Sequence, residues 1–280
     1  MIKTILVPTD FSAAAQRAAD YAIELAKRGE FKILLLHVYH LPIPTSSDLA
    51  TMPIIDPVAL WKSNINLLKK EEKRLTNNNS IQVEYINVEG FAVEEILIQE
   101  KKSKPDMIVM GMSGAGRISE FLIGSVTTDV VKEAITPVLI VPEGSPFSGP
   151  KKIALACDFK IEIPCSVLQP LKDLAKMFSS RLLIVNVLME KKEAIALEEE
   201  IEGMRLENCL QGIPYSFYFP EDKDVVTGLN EFVKDQQLDM VAMIPQKHNL
   251  WNTLFKESNT KNMAFHTLVP LLILPVHRKQ

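Results

Sequence analysis

Cysteine is scarce in this 280-residue chain: Cys157, Cys165 and Cys209 are the only three, and no CxxC pair occurs. An odd number cannot all pair within one chain, and the expectation is reduced thiols in a cytoplasmic protein. Long apolar runs are missing too. None approaches the ~18 residues that a membrane helix requires, so no membrane partner is expected. The chain enters a strand-like run at Thr4 without a charged n-region, apolar h-region or cleavage site, so no export signal is expected. Basic excess is also absent. Lys+Arg total 31 against 35 Asp+Glu, a net charge of −4, and each half, divided after Phe147, is slightly acidic. That balance argues against a nucleic-acid partner.

What remains is globular composition, 47% hydrophobic and 24% charged, which excludes extended disorder. The length suits two domains or one large one. Ile5-Leu6-Val7-Pro8 and residues 33–38 are too apolar for a one-sided sheet and read as strands covered on both faces. Between them lies an Ala-rich helix over 13–27, with Ser12 as N-cap and Gly29 as its C-terminal stop. Pro42, Pro44, Pro53 and Pro57 mark a loop. Then follow a helix over 58–75, a strand over 81–88 near the sheet edge, a helix over 93–101 and a strand over 107–110. A helix from Ser125 and a strand over 138–141 complete the first half. Strands alternating with helices predict a doubly wound parallel α/β sheet.

The pattern then repeats. Thr4 to Phe11 is echoed by Lys152 to Phe159, Leu25-Ala26-Lys27 by Leu174-Ala175-Lys176, and the Pro-x4-Pro strand at 137–142 by that at 270–275. The anchors recur in one order, at separations of 148, 149 and 133 residues, so the chain is a duplicated domain. We expect two tandem five-stranded parallel-sheet domains of Rossmann-like type, residues 1–143 and 151–280, joined by a Gly/Ser/Pro-rich linker.

One segment invites chemistry: Gly111-Met112-Ser113-Gly114-Ala115-Gly116-Arg117, continuing to Gly124-Ser125-Val126-Thr127. Glycines at the carboxyl end of a buried strand let backbone N–H groups approach an anion. A following helix N-terminus adds donors and a favourable dipole, and the Ser125 and Thr127 hydroxyls can donate further bonds. In open α/β sheets ligands bind at this end, where the strand order reverses. The segment is neither a P-loop nor a GxGxxG fingerprint. On composition and periodicity alone, phosphate binding and a mere tight turn stand level.

The spacing Gly111-x2-Gly114-x9-Gly124-Ser125, with Val7-Pro8-Thr9-Asp10 at the start, resembles the universal stress protein family, and within it the ATP-binding branch in tandem form. The resemblance covers nearly the whole chain. It implies an adenine-nucleotide α-hydrolase-like fold and ATP, with or without Mg, as ligand. Asp10, with Pro8 and Thr9 beside it, would hold the adenosine end, and the main chain of Val38 would contact adenine. Met110, Gly111, Gly114, Gly116, Gly124, Ser125, Val126 and Thr127 would surround ribose and phosphates, with Arg117 as the nearest cation. The implied function is an ATP-binding regulatory protein of the stress response. The alternatives are a slow ATPase or a nucleotide-free interaction scaffold. Strands 137–142 and 270–275 would pair as an intramolecular pseudo-dimer. A further homodimer and an unidentified protein partner stay open.

The second half departs from the pattern: Gly111 falls on Ile244, Gly114 on Lys247 and Gly124 on Glu257, while Ser125 survives as Ser258 and Asp10 as Asp158. A β-branched side chain and a carboxylate stand where phosphate needs bare backbone, so only the first half is expected to bind nucleotide. His37 and His40 form an HxxH, but core or surface histidines are the better reading than a metal pair. Glu71-Glu72, flanked by Lys69, Lys70, Lys73 and Arg74, reads as a solvated helix face. No catalytic set is evident.

Overall fold

The structure, a computed structural model, describes residues 3–41, 56–77, 80–112, 123–157, 159, 162–189, 197–245 and 269–276. The first half supplies β1 (Thr4–Pro8), α1 (Ala13–Gly29), β2 (Lys32–Tyr39), α2 (Pro57–Thr76) and β3 (Val83–Glu89). It continues through α3 (Ala92–Ser103), β4 (Met107–Gly111), α4 (Ser125–Glu133) and β5 (Val138–Val141). The second half supplies β6 (Lys152–Ala156), α5 (Gln169–Phe178), β7 (Arg181–Val185), α6 (Leu197–Cys209) and β8 (Tyr215–Tyr218). It ends with α7 (Val225–Asp235), β9 (Met240–Met243) and β10 (Leu271–Ile273).

Among the described residues the ten strands join one sheet in the order β3-β2-β1-β4-β5-β10-β9-β6-β7-β8. Every pairing is parallel except the central one, β5 with β10, which is antiparallel. Its register sets Leu139 opposite Leu272, and these are the equivalent residues of the two repeats. The halves are therefore related by a pseudo-twofold axis through that pair, the self-complementary contact of a symmetric dimer made within one chain. The repeat extends to side chains. Asp106 Oδ2 accepts from the N–H groups of Lys3 and Thr4 at 2.8 and 2.9 Å, and Asp239 Oδ2 accepts from those of Lys151 and Lys152 at 2.8 Å each.

The apolar runs become fully buried strands because helices cover both faces. One face carries α1, α2, α5 and α6, and the other α3, α4 and α7. Ala18, Ala19, Ala22 and Ala26 of α1 are wholly buried, and their small side chains let the helix lie close on the sheet. Ser12 caps α1 by accepting from Ala15 N–H at 3.2 Å. The C-terminal stop differs from expectation: Glu30, at φ 55°, takes the left-handed position. Gly29 is instead where a Cβ would fall 1.9 Å from the Phe31 ring. Packing, rather than backbone freedom, demands the glycine.

Two further expectations need correction. Glu71 is 6% exposed, not solvated. Its carboxylate accepts from Arg74 at 2.7 and 2.9 Å, and Arg74 also binds Asp20 of α1 at 2.5 Å, so the cluster ties α2 to α1. The Glu71 hydrogen bonds, followed by Asp20, hold the guanidinium above its ordinary pKa. Cys165 and Cys209, expected as reduced thiols, form a disulfide with Cα atoms 5.1 Å apart, while Cys157 is buried. Folding brings together two residues that 44 positions of sequence separate.

Between the halves the linker is anchored. Arg17 Nε donates to Glu143 O at 3.0 Å, and Phe147 packs between Tyr21 and Phe178 with ring centroids 4.8 and 5.8 Å away. Burial first, and the Asp239 charge second, push the Tyr21 hydroxyl pKa up. Another fastening is Glu100, 2% exposed, whose Oε1 accepts from Ile135 and Thr136 N–H at 2.9 and 2.6 Å, tying α3 to the turn before β5. Glu100→Ala strands two N–H groups, and we expect chemical denaturation to show a loss of about 2–4 kcal/mol. Among the described residues no helix is long and apolar enough to cross a membrane.

Candidate functional site

The strand order of the first half reverses between β1 and β4, and the chain leaves the carboxyl ends of both there. After β1 the turn is built from short side-chain bonds. Thr9 N–H continues the ladder to Leu36 O at 2.8 Å. Thr9 Oγ1 accepts from Phe11 N–H at 3.0 Å, and Asp10 Oδ1 accepts from Ser12 N–H at 3.0 Å. Asp10 is thereby held exposed at the rim, one residue beyond buried Thr9 and two beyond half-buried Pro8.

Phe11 pays for this turn in conformation, with φ 63° in the left-handed region, a strain of about 1–2 kcal/mol for a bulky residue. Its ring lies 4.6 Å from that of His37, whose Nδ1 is 2.8 Å from Thr9 O. An Nδ1–H donor fits that carbonyl and leaves Nε2 as the acceptor. His37 thus latches the Asp10 turn. His40 instead stacks toward Phe91 at 6.4 Å. Among the described residues no three His, Cys, Asp or Glu side chains gather as a metal site.

On β2, Leu36 O serves Thr9 and Tyr39 O accepts from Gly90 N–H, so alternate residues face opposite neighbours. Val38 therefore turns its main-chain N–H and C=O toward the β1 side. The β1 ladder has already ended there, at Pro8 opposite Leu36. A donor and an acceptor side by side match the edge of a planar heterocycle.

At the end of β4, Met110 is buried and Gly111 half-buried. A Cβ on Gly111 would come within 2.7 Å of the backbone carbon and oxygen of Ala14, so this glycine admits the first turn of α1. Gly124 N–H donates to Met112 O at 2.6 Å, bringing the start of α4 back beside β4. Thr127, 5% exposed, donates its hydroxyl to Gly111 O at 3.0 Å. That hydroxyl fastens α4 to β4, leaving Thr127 to face an anion through its N–H. Gly124 is the N-cap of α4 and offers no side-chain cap, so the first-turn N–H groups of Ser125, Val126 and Thr127 point out of the helix end. Ser125 and Val126 are exposed. Gly114, Gly116 and Arg117 lie outside the described residues, as do Asp158, Lys247, Glu257 and Ser258 of the second half.

The structure thus brings Asp10, the Val38 main chain, Gly111 and the amino end of α4 to one rim of the sheet. The His37–Thr9–Phe11 latch has no sequence signal beyond the histidine itself, because a left-handed phenylalanine is not written in residue type.

The corresponding rim of the second half is built differently. Helix α5 begins at Gln169, whereas α1 spans the positions equivalent to 162–178. Residues 164–169 form successive turns instead, with Val167, Leu168 and Gln169 N–H donating to Pro164, Cys165 and Ser166 O. Ile244 replaces Gly111, and Ile163, Val167 and Leu168 stand at the positions of Ala14, Ala18 and Ala19. With Ile163, Ile244 and Leu168 all in one buried core, a helix cannot approach β9 as α1 approaches β4.

Residues 1–142 match the universal stress protein family. A universal stress protein of Methanocaldococcus jannaschii is 29% identical over 148 residues, covering 50% of this chain and 82% of that protein. A solved universal stress protein of Archaeoglobus fulgidus matches 97% of this chain and 98% of its own with a TM-score of 0.73 at 19% identity, a likeness of fold. Another solved member, in complex with cAMP, is 25% identical over 50% of this chain and 97% of its own, with a TM-score of 0.40. With the duplicated sheet, the reversal between β1 and β4 and the matched first half together, the chain belongs to the universal stress protein family.

Proposed function

We propose that this chain is a cytoplasmic, ATP-binding regulatory protein of the stress response, with one nucleotide held by its first half. The observation that carries the reading is the convergence at the β1/β4 reversal of three complementary groups. These are the exposed Asp10 carboxylate, the outward main chain of Val38 and the N–H groups that open α4 without a side-chain cap. Val38 suits the adenine edge, Asp10 the ribose hydroxyls, and α4 the phosphates. Gly114, Gly116 and Arg117 complete the phosphate side in this reading. Any Mg2+ would ride on the phosphates, since the described residues offer no ligand cluster for it.

The two repeats act as domains 1–143 and 151–280. The second serves as the permanent partner of the first through β5 and β10, and its altered rim takes no nucleotide. Binding would alter a surface that another protein reads.

Calorimetric titration tests this directly. ATP should bind at one site per chain, and Asp10→Ala should weaken it roughly ten- to hundredfold, the worth of hydrogen bonds to a charged group. Absence of binding by ATP, ADP, AMP and cAMP alike would overturn the proposal.

A further inference from the structure

The geometry points to Cys165 and Cys209 as a reversible, peroxide-oxidised pair that clamps the altered rim of the second half onto α6. Cys165 is exposed and lies in the turns leading into α5; Cys209 is 4% exposed and is the last residue of α6. Beside the disulfide, polar contacts among the described residues also join these segments. Ile163 N–H donates to Oε1 of Glu202 at 2.9 Å, and Glu202 is itself buried. Arg205, one turn before Cys209, meets Glu162 at 3.4 Å and Glu202 at 3.7 Å. These contacts keep the two sulfur atoms together whether or not they are bonded. Closing the bond therefore requires no large movement.

The two thiols differ in reactivity for physical reasons. Cys165 is exposed in the turns before α5, so a hydroperoxide reaches its sulfur directly. Cys209 sits at the carboxyl end of α6, buried, where both the dipole and burial disfavour its thiolate. Cys165 is thus the attacking sulfur and Cys209 the resolving one. With a hydroperoxide as oxidant, the Cys165 thiolate attacks one peroxide oxygen. An S–O bond forms, the O–O bond breaks, and the leaving oxygen departs as water or alcohol after taking a proton. The Cys209 thiol then attacks the sulfenic sulfur, the S–S bond forms, and the second oxygen leaves as water with the remaining proton. Two thiols are oxidised by two electrons and the peroxide is reduced by two. A thiol reductant reverses the step through a mixed disulfide at the exposed Cys165.

The clamp has a local consequence. Residues 162–168 are held by turns instead of by an α-helical ladder, and the disulfide makes them one unit with α6. Reduction leaves the Glu202 and Arg205 contacts and the apolar packing of Ile163 and Leu168 with Leu206 to hold them, so local opening becomes more frequent there and unchanged in the central sheet.

The full-length protein, without added nucleotide, is equilibrated in glutathione buffers spanning reducing to oxidising poise, acid-quenched, alkylated and mapped by mass spectrometry. We expect the pair to be dithiol at reducing cytosolic poise and to close on addition of one equivalent of hydrogen peroxide, losing two alkylatable thiols per chain. Cys209→Ser should accumulate a sulfenic acid at Cys165, trapped by dimedone, and Cys165→Ser should accumulate none at Cys209. Hydrogen exchange over 162–168 and the last turn of α6 should rise about tenfold on reduction. A bond that persists at every glutathione ratio, one that peroxide never closes, or one whose opening leaves exchange unchanged would each overturn the assignment.

Discussion

Gly111→Ile is expected to abolish nucleotide binding and to unwind the first turns of α1. The added Cβ alone would lie 2.7 Å from the carbon and oxygen of the Ala14 backbone, and backbone cannot swing aside as a flexible side chain can. Either β4 or the helix start must move. The strand is locked between β1 and β5, whereas the helix start is held by the Ser12 cap and the Asp10 turn. The helix therefore yields. The second half displays the outcome, since Ile244 fills the equivalent place and α5 starts seven residues later than α1 would predict. Overpacking of this kind costs about 1–3 kcal/mol, and displacing Asp10 should lower ATP affinity by at least about a hundredfold. Hydrogen exchange over residues 12–18 and an ATP titration check the two parts. Gly111→Ala, with the same Cβ and nothing beyond it, should fall between. Unaltered affinity in Gly111→Ile would show that the Ala14 contact plays no part in shaping the site.

Gly124→Glu separates folding from binding. Gly124 caps α4 without a side chain, and a carboxylate there favours the empty helix by roughly 0.3–1 kcal/mol. The same charge about 5 Å from a phosphate costs about 3 kcal/mol at an effective dielectric of 20, or roughly a hundredfold in affinity. The expected variant is as stable as the parent, or slightly more so, yet fails to hold ATP. A thermal melt paired with a titration reads both. Retained affinity would remove the phosphates from the amino end of α4.

The duplication and the alternation of strands and helices in each half were legible in the sequence, because buried parallel strands are written as apolar runs and the Pro-x4-Pro strand occurs twice. The β5–β10 contact, by contrast, was implied by the family resemblance. β3 was legible as an edge strand because it alternates apolar and polar residues. What escaped depends on partners distant in sequence. Glu71 resembles any surface glutamate until α1 supplies Asp20 beside Arg74. Cys165 and Cys209 meet only after α6 docks on the turns before α5. Gly29 and Gly111 were read for what glycine permits the backbone, yet at both positions the controlling fact is a neighbour too close for a Cβ: the Phe31 ring and the Ala14 backbone. Thr127 was legible as a helix-start hydroxyl, but its attachment to Gly111 O required the fold. The substitution of Gly111 by Ile244 was legible as a lost anion site; its effect on the helix opposite was not.

The central claim is that one half of this pseudo-symmetric sheet holds a nucleotide and the other does not. Native mass spectrometry of the intact chain, at an ATP concentration just sufficient to fill the parent's site, tests it most directly. The account predicts a mass increase of one adenine nucleotide per chain in the parent and none in Gly124→Glu. Two nucleotides per chain, or one that persists in Gly124→Glu, would contradict it.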